Sequence, residues 1–131
     1  MMLMATLLLD THAALWMVSD PNRLGSTTRS ALERTDNRVI VSVASVWELG
    51  IKAALGKFTI PASLWDDVER SGIEIVPIDR ADALGVATLP PHHRDPFDRM
   101  LIAQARERGA VFVSADRWAE AYDVRVLPAD R

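Results

Sequence analysis

Short apolar runs alternate along this chain with amphipathic stretches, and this alternation predicts an α/β fold. The apolar runs are rich in Val, Ile and Leu, as expected of strands buried on both faces of a parallel sheet. We therefore expect a three-layer α/β/α domain with a short central parallel sheet. The predicted strands cover residues 5–9, 39–41, 73–76, 111–113 and 125–127. The predicted helices cover residues 11–18, 23–34, 43–55, 61–70, 80–87, 96–109 and 117–122.

Length and composition limit the class of protein. The 131 residues are expected to form a single domain, residues 1–131, around one hydrophobic core. Cysteine is absent, which rules out disulfides and thiolate metal ligands and fits the cytoplasm. The formal charge of −3 argues against a nucleic-acid binder with a large basic face, although not against an enzyme that reaches phosphates through metal ions.

The apolar start of the chain resembles a signal peptide only superficially. Residues 1–9 contain no basic segment and lead directly into Asp10, so we expect a buried strand here. No apolar run approaches the ~20 residues that a membrane-spanning helix needs, and no membrane association is expected.

Four acidic residues lie at or near predicted strand ends and helix starts: Asp10, Glu48, Asp98 and Asp116. In a doubly wound fold these places meet at the ligand crevice. Two carboxylates ~5 Å apart at an effective dielectric constant of ~20 repel each other by roughly 3 kcal/mol. A fold that gathers several carboxylates is most simply explained by a bound divalent cation.

Three of these acids also have a local explanation as helix caps. Asp10 could cap the helix that follows it, and Asp116 could cap the short helix from residue 117. Asp95 and Asp98 together resemble a capping box, with Asp95 as the cap and Asp98 as its reciprocal partner. Against this, Asp98 shares a helix face with apolar residues and should point inward. Asp95 is one turn earlier, so it is either a cap or an auxiliary metal ligand.

Glu48 could be an exposed partner of Lys52 one helical turn later. However, Ala44, Ile51 and Leu55 share its predicted helix face, which indicates a buried side chain that needs a partner.

The remaining candidates have weaker signals. His92 and His93 lie next to each other in a Pro-containing loop and are expected to be exposed to solvent. His12 follows Asp10 at the predicted crevice and could contact substrate, although a histidine at a helix start is usually structural. Three Trp residues with aliphatic neighbours at helical spacing are expected in the core or an interface: Trp16, Trp47 and Trp65.

Four motifs carry a resemblance to a known family: LLLDTH at residues 7–12, SVWE at 45–48, DPFDRMLIAQA at 95–105 and VSAD at 113–116. In these motifs the chain resembles PIN-domain ribonucleases of the VapC type, the toxin half of bacterial toxin–antitoxin pairs. The third motif is the most specific, and the resemblance covers almost the whole length.

The resemblance implies a PIN-like fold and hydrolysis of RNA phosphodiester bonds that depends on Mg²⁺ or Mn²⁺. It carries over the four acids, Asp10, Glu48, Asp98 and Asp116, as the catalytic metal-binding set. It also implies hydroxyl groups beside the site at Thr11 and Ser114, where Ser replaces the commoner Thr.

Three basic residues near the acids are candidate contacts to RNA phosphates: Arg99, Lys52 and Arg94. The resemblance further implies a small VapB-like antitoxin as partner, with Trp16, Met17, Trp47 and Leu49 as candidate contacts, and we expect a homodimer. Two alternatives stay open: another metal-dependent phosphoesterase on the same fold, and a non-catalytic protein-interaction module.

Overall fold

The computed structural model describes residues 5–131, and residues 1–4, part of the predicted apolar start, lie outside the described residues. The strands are β1 Thr6–Leu9, β2 Arg38–Ser42, β3 Glu74–Val76, β4 Val111–Ser114 and β5 Val126–Pro128. The α-helices are α1 Thr11–Ser19, α2 Ser26–Glu33, α3 Val43–Ala54, α4 Leu64–Arg70, α5 Arg80–Val86 and α6 Pro96–Arg108. Two 3₁₀ turns cover Pro21–Arg23 and Arg117–Ala121. The predicted alternation of strands and helices is confirmed.

The five strands form one parallel sheet in the order β3-β2-β1-β4-β5. The central strand β1 pairs with β2 on one side and β4 on the other, so that Leu9 lies beside both Val41 and Val113. From β1 the chain proceeds to one side of the sheet and later returns to the other. The strand order therefore reverses between β1 and β4, and ligands of such folds bind in the crevice at this point.

The core lies on both faces of the sheet because successive strand residues point in opposite directions. Leu7 and Leu9 pack with residues of α1, α2 and α4 on one face. Leu8, Ile40 and Phe112 are fully buried on the other face, against α3 and α6. This arrangement is the predicted three-layer α/β/α domain. No helix formed by residues 5–131 is long and apolar enough to cross a membrane.

Several helix boundaries differ from the predicted ones. The predicted helix 23–34 begins only at Ser26, because the chain first makes a 3₁₀ turn. Gly25 precedes it where the C-terminal segment passes so closely that a Cβ atom would lie 1.9 Å from the Arg131 backbone. The predicted helix 61–70 begins at Leu64, and Pro61 instead accepts a turn hydrogen bond from the Leu64 amide.

Candidate active site

Asp10 lies directly after β1 and belongs to both the helix cap and the crevice. Its Oδ1 accepts a hydrogen bond from the Ala13 amide (2.8 Å), which caps α1, and its Oδ2 accepts one from the Ser114 hydroxyl (2.6 Å). The residue is only 5% exposed. Burial raises the pKa of Asp10, the two hydrogen bonds oppose this, and the nearby charge of Asp116 raises it further. Asp10 can therefore cap α1 and also belong to the candidate active site.

Asp116 is exposed after β4, and its side chain does not cap the turn that follows. The predicted cap role is therefore wrong. Its amide instead donates to the Ser114 hydroxyl at 3.1 Å, the same hydroxyl that donates to Asp10. Ser114 thus connects the two carboxylate-bearing strand ends at the β1–β4 crevice.

Glu48 is 8% exposed on α3 and has two partners. The Thr11 hydroxyl donates to Glu48 Oε1 at 2.8 Å and lies 2.9 Å from the Ser45 hydroxyl. The Lys52 ammonium donates to Oε2 at 3.2 Å. Glu48 is therefore both buried and paired with Lys52, and Thr11 connects it to the residue next to Asp10.

The prediction that a buried apolar helix face surrounds Glu48 is wrong. Ala44 is buried, but Ile51 and Leu55 are 39% and 64% exposed. Trp47, expected in the core or an interface, is 62% exposed in this chain and contacts Phe97 edge to face with ring centroids 4.9 Å apart.

Asp98 lies in the first turn of α6 and receives its main hydrogen bond from the preceding loop. Asp95 Oδ1 accepts from the Asp98 amide at 3.0 Å, so Asp95 is the predicted cap. The predicted capping box is wrong, because the Asp98 carboxylate turns to His93 and not back to the Asp95 amide. The Asp98 carboxylate accepts from His93 Nε2 at 2.8 Å. The pKa of Asp98 is raised to about 6: burial raises it most, the hydrogen bond from His93 lowers it, and the charges of Asp95 and Glu48 raise it. His93 also stacks on Trp118 with ring centroids 4.3 Å apart, so its predicted exposure is wrong.

Of the three predicted RNA contacts, Arg99 is placed inward. Its guanidinium donates at 3.0–3.3 Å to four backbone carbonyls, those of Val86, Leu89, Pro90 and His93. These bonds fix the loop that carries His93 and engage both terminal nitrogens of Arg99, whose contact to RNA stays a prediction. Arg94 is exposed, and Lys52 is paired with Glu48.

The predicted acids thus lie at one rim as two neighbouring groups. Asp10 is close enough to Asp116, and Asp98 to Glu48 and Asp95, for their charges to affect each other's pKa. Within residues 5–131 no three Asp, Glu or His side chains stand close enough to enclose an ion. Neither Asp10 nor Asp98 has a Lys or Arg ion-pair partner among these residues. Carboxylate oxygens such as those of Asp10 and Asp98, which are wholly or partly withdrawn from water and lack a Lys or Arg partner, suit a hard divalent ion.

Sequence reasoning missed two parts of this site. One is the His93–Asp98 contact, which no local pattern indicates. The other is a cleft of about 280 Å³ beside Asp10 and Asp116, which His12, Trp16 and Arg23 also line. The Arg23 guanidinium lies over the Trp16 ring, 4.6 Å from its centroid.

Fold and rim together define a three-layer α/β domain with an acid-lined crevice at its topological switch point. The family model described as PIN domain matches residues 7–124, so this chain belongs to the PIN-domain family. It is 32% identical to Ribonuclease VapC22 of Mycobacterium tuberculosis over 117 aligned residues. The alignment covers 87% of this chain and 89% of that protein.

Solved structures with the same fold include VapBC assemblies. DNA-bound VapBC from Salmonella typhimurium matches with a TM-score of 0.69 at 20% identity, over 95% of this chain and 98% of that one. VapBC2 from Rickettsia felis, bound to a DNA fragment from its promoter, matches with a TM-score of 0.68 at 12% identity, over 93% and 97%.

Proposed function

We propose that this chain is a divalent-metal-dependent endoribonuclease and the toxin half of a toxin–antitoxin pair. The observation that carries the proposal is the pair of carboxylates at the crevice of a PIN domain, buried Asp10 and half-buried Asp98, neither of which has a Lys or Arg ion-pair partner among the described residues. The similarity to a ribonuclease of the VapC type gives the substrate class.

The four predicted acids, as the two groups Asp10 with Asp116 and Asp98 with Glu48, would contribute ligands to the cation, and water with the RNA phosphate would supply the remaining ligands. We propose Mg²⁺ or Mn²⁺ because all donors are oxygens. When bound, it supplies charge neutralisation at the phosphate and a lowered pKa for the attacking water. The hydroxyl groups of Thr11 and Ser114 orient the carboxylates of Glu48 and Asp10 through the hydrogen bonds described above. Asp95 acts on the site by capping α6.

The direct test is cleavage of total cellular RNA by purified, antitoxin-free protein with Mg²⁺ or Mn²⁺, and again with EDTA. We expect discrete fragments that disappear with EDTA and in Asp98→Asn. Asp66→Asn is the matched control, because Asp66 also occupies the third position of a helix, α4, but is exposed. Absence of cleavage by folded protein with either metal would favour the protein-interaction alternative.

As the toxin half, the protein binds a small VapB-like antitoxin. The predicted homodimer stays a prediction, and α3 supplies an apolar surface for it. Val43, Trp47, Ile51 and Leu55 recur at four-residue spacing and are all exposed, whereas monomers rarely expose large contiguous apolar patches. Light scattering should give twice the chain mass for the isolated protein, and the single-chain mass for Trp47→Glu.

A further inference from the structure

The cleft lined by Trp16 and Arg23 opens beside the proposed catalytic carboxylates. Given the proposed ribonuclease activity, we propose that this cleft binds the nucleotide next to the scissile phosphate, and that Arg23 contacts the phosphate of that nucleotide. This contact adds to the predicted RNA contacts a residue in a 3₁₀ turn that no sequence pattern indicated.

Arg23 is held in place but remains available to a ligand. Its guanidinium lies 4.6 Å from the centroid of the Trp16 ring, and stacking occupies the face of the group while its N–H edge stays open to an anion. Among residues 5–131 no carboxylate forms an ion pair with Arg23. A stacked side chain also loses less rotamer freedom when it binds, because part of that freedom is already lost.

The lining of the cleft combines carboxylates with a guanidinium, which favours a nucleic-acid strand. Asp10, Asp116 and Arg23 all line it. Phosphate is repelled by bare carboxylates, so the scissile phosphate belongs beside Asp10 and Asp116 only when a cation is bound. The next phosphate of the same strand then meets Arg23. A volume of about 280 Å³ is close to the lower bound of roughly 300 Å³ for small-ligand pockets, which suits one nucleotide and not a duplex.

The test is the salt dependence of RNA binding by the full chain. A fluorescently labelled single-stranded RNA of 20 nucleotides is titrated with antitoxin-free protein in Ca²⁺, and a gel verifies that the RNA stays intact. Anisotropy gives the dissociation constant from 50 to 200 mM salt. One lost phosphate contact lowers the log–log salt slope by about 0.7 for a single strand. We therefore expect the affinity ratio of the original protein to Arg23→Gln to fall by about 2.5-fold over this range.

Two further variants make the result specific. Arg23→Lys keeps the charge and is expected to retain the slope. Arg125→Gln is the matched control: Arg125 is exposed at the opposite end of the strands, before β5, and its loss changes net charge by the same amount. Its slope should equal that of the original protein. Both positions are exposed, so the free energy of unfolding of each variant should stay within about 0.5 kcal/mol of that of the original protein, and its melting temperature within a few degrees.

Each outcome decides one claim. An unchanged slope in Arg23→Gln, from protein that binds and cleaves RNA, overturns the subsite and leaves the ribonuclease function intact. Failure of the original protein to bind or cleave RNA overturns the proposed function itself. If Arg23→Gln keeps the RNA slope but weakens binding of the antitoxin, the cleft is a protein contact and the nucleotide subsite is wrong.

Discussion

Replacing Asp98 with Asn should stabilise the metal-free protein while it abolishes RNA cleavage. A pKa of about 6 instead of 3.8 means that keeping Asp98 ionised at pH 7 costs the fold about 3 kcal/mol, at about 1.4 kcal/mol per pKa unit. One quarter of the side chain is exposed, and screening by water reduces this cost to about 2 kcal/mol. Asn removes the charge but weakens the hydrogen bond from His93, which costs about 1 kcal/mol.

The net gain of about 1 kcal/mol should raise the melting temperature by about 4 °C in EDTA at pH 7. Because the folded-state pKa is raised, the cost of ionisation is fully present above about pH 6, falls as the pH drops below 6, and is absent below about pH 3.8, where the carboxyl is protonated in both states. At pH 4.5 the small remaining cost is offset by the weakened His93 bond, so the advantage of Asp98→Asn should disappear there. Thermal unfolding followed by circular dichroism at the two pH values measures both effects.

The matched variant Asp66→Asn loses only an exposed carboxylate at the same helix position. Its free energy of unfolding should therefore fall by about 0.5 kcal/mol or less, which lowers the melting temperature slightly. A drop of several degrees in Asp98→Asn at pH 7 would show that Asp98 is structural. A gain in stability that is equal at both pH values would show that it does not come from removing the ionised Asp98 carboxylate.

Two further predictions concern stability. Arg99→Ala removes several hydrogen bonds to loop carbonyls and should lower the free energy of unfolding, measured in urea, by about 2–3 kcal/mol. The control Arg94→Ala, at an exposed position in the same loop, should lower it by less than about 0.5 kcal/mol. A small loss in Arg99→Ala, together with a flatter salt dependence of RNA binding, would indicate that Arg99 contacts RNA. Burial raises the pKa of Asp82, but hydrogen bonds from Arg108 and the Asp79 amide outweigh it and hold the pKa below its usual value. Asp82→Asn should therefore lose about 2–3 kcal/mol at neutral pH, and the gap should close as pH falls below about 4; a gap independent of pH would contradict the ion pair.

The sequence predicted those features that depend on local pattern. The apolar runs gave the strands, since buried parallel strands such as 39–41 are apolar without interruption. Asp10 and Asp95 were recognised as caps because capping involves residues only three positions apart. The acids at the rim followed from the rule that parallel strand ends share one edge.

Features that depend on the path of loops were missed. His93 reaches Asp98 only because Arg99 ties the carbonyls of residues 86–93 together, which is a tertiary arrangement. Arg23 reaches the crevice because a 3₁₀ turn replaces the predicted helix start. The exposed face of α3 was misread because helical periodicity shows which residues share a face, and not whether another helix covers it.

If the rim carboxylates hold a divalent cation, the protein binds Mn²⁺ in solution. Electron paramagnetic resonance of free Mn²⁺, titrated into EDTA-stripped protein, gives the number of sites and their affinity. The account predicts saturable binding that weakens by at least about tenfold in Asp10→Asn and in Asp98→Asn, since each removes a charged ligand, and stays unchanged in Asp66→Asn. Equal binding by all four proteins would contradict it.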